Sequence, residues 1–153
     1  LIDDLNKTTR FAGLPLIPPN GAEGVTQVVA WTTGLPVRTG FAGRAPLHDP
    51  WRFDAQRLIA SGEADAALWI SAFSACPPPW DNAVPTIALV PPGTVFRTPP
   101  RVVFEVGCPG RDHDAMMFDQ ALGGIALAAA SAPRAIASVA DTVAAIIKRA
   151  ASC

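Results

Sequence analysis

Three short apolar runs between residues 66 and 106 dominate the hydrophobic pattern of this chain. Each run has the length of a β-strand, and a loop containing Pro or Gly follows each one. Continuous apolar runs, as opposed to alternating ones, are typical of parallel strands that are covered on both faces. The pattern therefore predicts a buried parallel sheet. Its strands are expected at residues 66–70, 86–90 and 102–106.

Helical patterns precede these strands. Val25, Val28 and Val29 recur at helical spacing, and Gly34 is a suitable residue to end that helix. A second helix is predicted over residues 53–62, directly before the first strand. A helix, a short turn and a buried strand form an αβ unit, so the sequence predicts an α/β fold.

The pattern changes after the third strand. Apolar runs at residues 115–118 and 124–128 flank a short turn and predict a β-ribbon. A final helix is predicted to begin at Ser138, an N-cap residue that has Asp141 three positions later, as in a capping box. Gly- and Pro-rich stretches are predicted to be loops. They are residues 8–19 and 34–50.

Composition limits the classes of function. The chain has 153 residues, which is enough for one domain with a core. Half of its residues are apolar and its net charge is -1, so neither disorder nor a nucleic-acid-binding face is expected. No apolar run is long enough to predict a membrane-spanning helix. Three widely spaced cysteines without metal-type spacing favour reduced thiols in a cytoplasmic protein. They are Cys76, Cys108 and Cys153.

The start of the chain also carries information. Residues 1–6 resemble the end of an amphipathic helix, and the first residue is Leu1, not Met. We therefore interpret residues 1–153 as a single α/β domain that forms the C-terminal part of a longer protein.

Both histidines stand beside carboxylates. Imidazole and carboxylate together suit Zn²⁺ or Fe²⁺, which raises the hypothesis of a metal-dependent hydrolase. The spacing is not the i, i+4 pattern of ligands on one helix. The alternative is that these are loop residues whose carboxylates bind the local backbone. The two clusters are His48-Asp49 and Asp112-His113-Asp114.

Other residues are compatible with chemistry but have a simpler interpretation. The glycine-bearing loops 40–44 and 107–111 each contain an Arg, which suits either an anionic ligand or an ordinary turn. Cys108 lacks a Cys/His signature, and Ser71 and Ser74 lack the Gly-x-Ser-x-Gly elbow of serine hydrolases. The tryptophans are expected in the core or at an interface. They are Trp31, Trp51, Trp69 and Trp80.

Four segments together carry a resemblance to a known family. They are residues 27–36, 46–50, 58–68 and 106–110, within a resemblance that runs from about residue 6 to residue 147. In this order they resemble the C-terminal part of the B subunit of formylmethanofuran dehydrogenase. More closely, they resemble the related B subunit of the bacterial formyltransferase/hydrolase complex.

The resemblance implies a place among the molybdopterin oxidoreductases. Members of that family use molybdopterin guanine dinucleotide with tungsten or molybdenum, and their metal ligand lies in a part that this chain does not contain. If a pterin is bound here, the cofactor-facing residues are expected to be Ser71, Pro91, Gly110 and Arg111. Pro91 and Pro92 stand where the family has a carboxylate that reads guanine, which favours the bacterial type.

We therefore expect a Rossmann-like, mostly parallel sheet flanked by helices, with a C-terminal β-ribbon and helix. The expected function is that of a mainly structural component, similar to the B subunit, in methanofuran- and tetrahydromethanopterin-linked one-carbon metabolism. Its partners would be the other subunits of the complex, and no catalytic residue, metal or cofactor is expected in this chain itself. The alternative is a tungsten- or molybdenum-pterin-binding catalytic subunit of the dehydrogenase. A stand-alone His/Asp hydrolase is the third hypothesis.

Overall fold

The computed structural model describes residues 2–10, 21–80, 84–119 and 122–152, and for Ile2 it describes the backbone alone. These parts of the chain contain four helices and seven strands, and β3 to β7 follow one another with no helix between them. The helices are α1 (Ile2–Asn6), α2 (Ala22–Thr33), α3 (Ala55–Ala60) and α4 (Val139–Ala150). The strands are β1 (Thr39–Gly40), β2 (Leu47–His48), β3 (Ala67–Ile70), β4 (Thr86–Val90), β5 (Val102–Glu105), β6 (Ala115–Asp119) and β7 (Gly124–Ala128).

The three apolar runs form one parallel sheet, as predicted. Its strand order is β3-β4-β5, so β4 is the central strand. Leu68 of β3, Ile87 of β4 and Val102 of β5 stand in one row across the sheet. Side chains alternate between the two faces along a strand, so this row shares its face with Leu89 and Phe104.

Helix α4 covers the carboxyl-terminal half of that face. Leu89 and Val106 have no exposed surface there, and they form the centre of the core. Apolar residues from the loop after β3, from β5 and from the first turns of α4 complete this cluster. They are Ala72, Phe104, Val139 and Val143.

The amino-terminal half of the same face is open, and so is its β3 edge at Ile70, which stands in one row with Leu89 and Phe104. Leu68 is 56% exposed, Ile70 45%, Ile87 38% and Val102 40%. The prediction that both faces of these strands are covered is therefore wrong for the described chain. Helix α4 packs on the cluster that contains Leu89, whereas Ile70 in the same row, and the row that begins at Leu68, lie beyond it.

The opposite face is covered in part by the loop that follows β3. Trp80 packs edge-to-face on Trp69, with ring centroids 5.6 Å apart and planes at 85°. The two indole nitrogens donate hydrogen bonds to the Cys76 carbonyl and to Thr86 Oγ1, at 2.8 and 3.3 Å. Trp69 is part of β3, and these contacts hold Trp80 against it. Trp31 and Trp51 are exposed instead, at 62% and 72%.

The predicted helix ends at Gly34 and Ser138 are confirmed, whereas the helix predicted over 53–62 is shorter at both ends. Helix α2 ends at Gly34, whose φ of 71° and N–H bond to the Ala30 carbonyl form a left-handed cap. Helix α4 begins with the complete capping box of Ser138 and Asp141. Helix α3 begins two residues later than predicted, because the side chain of Asp54 caps it.

The hairpin parts of the chain differ in how well the sequence predicts them. The antiparallel ribbon β6-β7 is confirmed. The predicted loop over residues 34–50 contains the short antiparallel pair β1-β2, so that assignment is wrong in its central part. The predicted loop over 8–19 lies mostly outside the described residues. Over the described ranges, no helix has the length and apolar character needed to cross a membrane.

Candidate functional site

The parallel sheet brings three loops to one edge, which we call the carboxyl edge. These loops begin after β3, β4 and β5, and they leave the sheet side by side because the strands run in the same direction. The first and third loops touch, since Cys108 Sγ lies 3.9 Å from the Phe73 carbonyl oxygen. Ligands of open parallel sheets bind at such edges, so this is the candidate site.

Asp112 is the buried charge at this edge. Its carboxylate accepts hydrogen bonds from Nε and Nη2 of Arg111 at 3.0 and 2.8 Å and from the Cys108 N–H at 2.8 Å. The side chain has no exposed surface, and Arg134 Nη1 lies 4.0 Å from it. The Arg111 hydrogen bonds, followed by the Cys108 N–H, lower the pKa of Asp112 to about 2. The carboxylate is therefore ionised at neutral pH, and both of its oxygens accept hydrogen bonds.

The loop around Asp112 also holds the segment that leads into α4. The Arg134 N–H donates to the Asp112 carbonyl at 3.0 Å, and the Gly107 N–H donates to the Ala137 carbonyl at 2.9 Å. The Asp114 carboxylate accepts the N–H of Ala130, just after the ribbon, at 2.7 Å. Residues 107–114 therefore join the sheet, the ribbon and α4, which is a structural task.

Packing explains the glycines of this loop. A Cβ atom on Gly107 would lie 2.9 Å from Ile136 Cγ2 and 3.0 Å from His113 Cδ2. Gly110 has a φ of 71°, which L side chains rarely adopt. Because Arg111 is bound to Asp112, the loop has the contacts of an ordinary turn, the simpler of its two predicted interpretations.

The residues predicted to face a pterin do lie at the carboxyl edge. Their polar groups are already bonded within the chain: Ser71 Oγ donates to the Ser74 carbonyl at 3.0 Å, and the carbonyl of the buried Pro91 accepts from Thr94 Oγ1 at 2.7 Å. The Arg111 guanidinium is engaged with Asp112 as described. The Gly110 N–H donates to the His113 carbonyl.

A guanine edge needs acceptors for its N–H groups and donors for its carbonyl. None of these four residues carries a carboxylate to accept the N–H groups of guanine, whereas the half-exposed Arg111 guanidinium keeps N–H donors that Asp112 does not use.

The other predicted His/Asp cluster lies in the β1-β2 hairpin and the turn after it. Asp49 Oδ1 accepts the N–H groups of Arg52 and Trp51 at 2.8 and 3.0 Å, and the Arg52 bond is the main reason that the Asp49 pKa is lowered. His48 Nδ1 is buried without a hydrogen-bond partner in the structure. Across the described ranges, no three His, Cys, Asp or Glu side chains come together as metal ligands would.

A charged cluster that the sequence did not reveal fixes this hairpin to α3. Arg57 forms an ion pair with Glu63 at 2.5 Å, and its guanidinium carbon lies 4.6 Å from the centre of the Trp51 ring. Arg38 pairs with Asp54 at 3.0 Å. The role of Asp54 as a helix cap has a local signal in the sequence. The Arg38–Asp54 pair has none, because it depends on how the hairpin folds back.

The structure also contains a long apolar groove between α2 and the ribbon, which we call the α2–ribbon groove. It encloses about 1040 Å³ and is open to solvent. Its lining includes the acidic residues Glu23 and Asp119 and no Lys or Arg. The groove has no signature in the sequence, because its two walls are about 90 residues apart.

Known proteins resemble this chain in sequence and in fold. The B subunit of the formyltransferase/hydrolase complex Fhc of Methylorubrum extorquens is 42% identical to the chain over 151 residues, which is 97% of this chain and 42% of that protein. The resemblance predicted from the sequence is therefore confirmed. A chain in the crystal structure of the formyltransferase/hydrolase complex FhcABCD from the same organism, in complex with methylofuran, superposes with a TM-score of 0.84 at 41% identity. That match covers 97% of this chain and 42% of the other.

A second relative is more distant. The B subunit of the tungsten-containing formylmethanofuran dehydrogenase 2 of Methanocaldococcus jannaschii is 34% identical over 71 residues, 46% of this chain and 16% of that protein. No family model matches the chain. The chain spans about two fifths of the length of the Methylorubrum protein, whose mixed α/β fold it shares over that part.

Proposed function

We propose that the chain serves as the C-terminal part of a B-type subunit in a formyltransferase/hydrolase complex of methanofuran- and tetrahydromethanopterin-linked one-carbon metabolism. The observation that carries the proposal is the match to the Fhc B subunit over 97% of the chain, in both sequence and structure. In this proposal the partners are the other subunits of such a complex, and the complex works in the cytoplasm.

The role proposed for this part is structural. The charged groups at the carboxyl edge support it, because the carboxylate of Asp112 and the guanidinium of Arg111 bind each other and the backbone of their own loop. A catalytic acid or base needs access to a substrate proton, and the Asp112 side chain has no exposed surface. We further propose that the domain is Rossmann-like and that additional elements complete its sheet.

A pterin-binding dehydrogenase subunit is the second candidate. The match to the tungsten-containing protein of Methanocaldococcus favours it. That match covers less of the chain at lower identity than the match to the Methylorubrum protein. The internal bonding of Ser71, Pro91, Gly110 and Arg111 also supports the structural role over cofactor binding.

A chimaera tests the choice between the two. The chain would replace the matching part of the Methylorubrum B subunit, and the hybrid would be co-expressed with the other subunits of that complex. Assembly, formyl transfer, tungsten, molybdenum and pterin would be measured in the purified product. The unaltered Methylorubrum complex is the matched control. We expect assembly and formyl transfer without a metal-pterin.

A Ser71→Ala variant of the chimaera sharpens the test. Its hydroxyl bonds the Ser74 carbonyl, so its loss should leave formyl transfer close to that of the parent chimaera. Stoichiometric tungsten or molybdenum with pterin would overturn the structural role and favour the dehydrogenase alternative. Failure of the chimaera to assemble, while the control assembles, would count against the proposed complex.

A further inference from the structure

An uncharged apolar surface crosses all three strands of the parallel sheet. It consists of Leu68, Ile70, Ile87 and Val102, which are between 38% and 56% exposed. We call it the open sheet face. Contiguous apolar surface of this kind marks a place where another element packs, and parallel sheets have both faces covered in almost all known proteins.

A groove beside α4 continues this surface. Phe104 stands on the same face as Val102, two residues further along β5, and it forms one wall of the groove. The other wall consists of Ala137 and residues of α4, which include the apolar Ala145 and Ile146 and the charged Asp141 and Arg149. The groove encloses about 770 Å³. Small residues such as Ala145 let a neighbouring helix approach closely, so the groove suits a helix lying next to α4.

We propose that the open sheet face binds an amphipathic α-helix from the part of the full-length protein that lies outside the matched region. The inference rests on the proposed function, because that function supplies the longer protein. More than half of the Methylorubrum protein lies outside the match, since the match covers 42% of it. A helix is the expected element, because α4 already covers the other half of this face and helices cover the faces of parallel sheets.

The apolar character of the open sheet face determines which residues a helix must present to bind it. The open sheet face contains no charged side chain, so the bound helix needs an apolar stripe of Leu, Ile, Val or Ala at i, i+3, i+4 and i+7. Its polar side would face solvent or the remainder of the protein.

Side-chain footprinting with hydroxyl radicals tests the proposal. The 153-residue chain would be compared with a chimaera that joins it to the unmatched part of the Methylorubrum protein. We expect Leu68 and Ile87 to lose most of their modification in the chimaera. Leu127 on the ribbon, 67% exposed, is the internal control and should remain modified.

Three results would overturn the proposal. Equal modification of Leu68 in the chain and in the chimaera would mean that the unmatched part does not cover the face. Protection of Leu68 in the chain alone that rises with protein concentration would assign the face to a second copy. Protection that appears only after the remaining subunits of the complex are added would assign it to one of them.

A charge substitution gives a second measurement. Ile87→Lys should lower the melting temperature of the chimaera by about 5 °C or more beyond its effect in the chain alone, because a buried ammonium group is costly. Leu127→Lys is the matched control and should have the same effect in both. Equal effects of Ile87→Lys in both proteins would contradict the proposal. Neither measurement depends on formyl transfer, so this inference and the proposed function can fail separately.

Discussion

The placement of α4 on the parallel sheet can be tested at Leu89. This residue lies in the central strand, has no exposed surface and packs in a cluster with Val106, Phe104, Val139 and Val143. Truncation to Ala would leave a hole between the sheet and the helix. We therefore expect Leu89→Ala to be among the more destabilising substitutions in the chain.

The magnitude follows from the atoms removed. Leu→Ala deletes three carbon atoms, which is about 2–2.5 kcal/mol in transfer free energy at about 0.8 kcal/mol per carbon. The cavity adds to this cost, because surrounding residues relax only in part, and the total becomes about 3–4 kcal/mol. In a chain of this size, that corresponds to a melting temperature lower by roughly 10 °C.

Leu68 provides a matched control. It is the same residue type on the same face of the neighbouring strand, and it is 56% exposed. Leu68→Ala removes the same atoms without opening a closed cavity, so its cost should stay below about 1 kcal/mol. Urea unfolding of both variants, followed by tryptophan fluorescence, gives the two free energies of unfolding. Equal losses, or a loss below about 1 kcal/mol for Leu89→Ala, would refute the placement of α4 over Leu89.

Three further predictions address other parts of the chain. Gly40→Ala should lower the free energy of unfolding by about 1–3 kcal/mol, because its Cβ would meet the Phe53 ring. Gly43→Ala is the control, because a Cβ on Gly43 would lie 3.6 Å from the nearest atom. A near-neutral Gly40→Ala, or an equally damaging Gly43→Ala, would contradict the hairpin geometry. Ser138→Ala should cost about 1 kcal/mol in urea unfolding by removing the cap of α4, and no loss would mean that the cap is not formed. Asp112 has a folded pKa of about 2 against an ordinary 3.8, so the unfolded chain binds more protons between these values. The contribution of Asp112 to stability is present above about pH 4 and is lost as the pH falls toward about 2. The melting temperature of Asp112→Asn should therefore depend less on pH across this range than that of the parent chain. An unchanged pH dependence would argue against the Asp112–Arg111 contact.

Local signals in the sequence determined the elements of this protein. The runs that became β3, β4 and β5 are continuous and apolar, and no competing helical period runs through them. Gly34 and the Ser138-Asp141 box mark helix ends through contacts within one turn, so neighbouring residues are sufficient to predict them. The resemblance to the Fhc protein was also readable, because it depends on the order of segments and not on their positions in space.

The tertiary structure determined which residues and elements pack against one another. The sequence offered His113 and Asp112 as possible ligands, but burial and the approach of Arg134, 22 residues later, make Asp112 the centre of a structural network. The apolar pattern predicted a sheet covered on both faces, yet α4 covers only the half that contains Leu89. A pattern along one strand records that a residue is suited to burial, whereas actual burial depends on where other elements pack. Distant parts of the chain supply those elements, and periodicity within a segment holds no information about them.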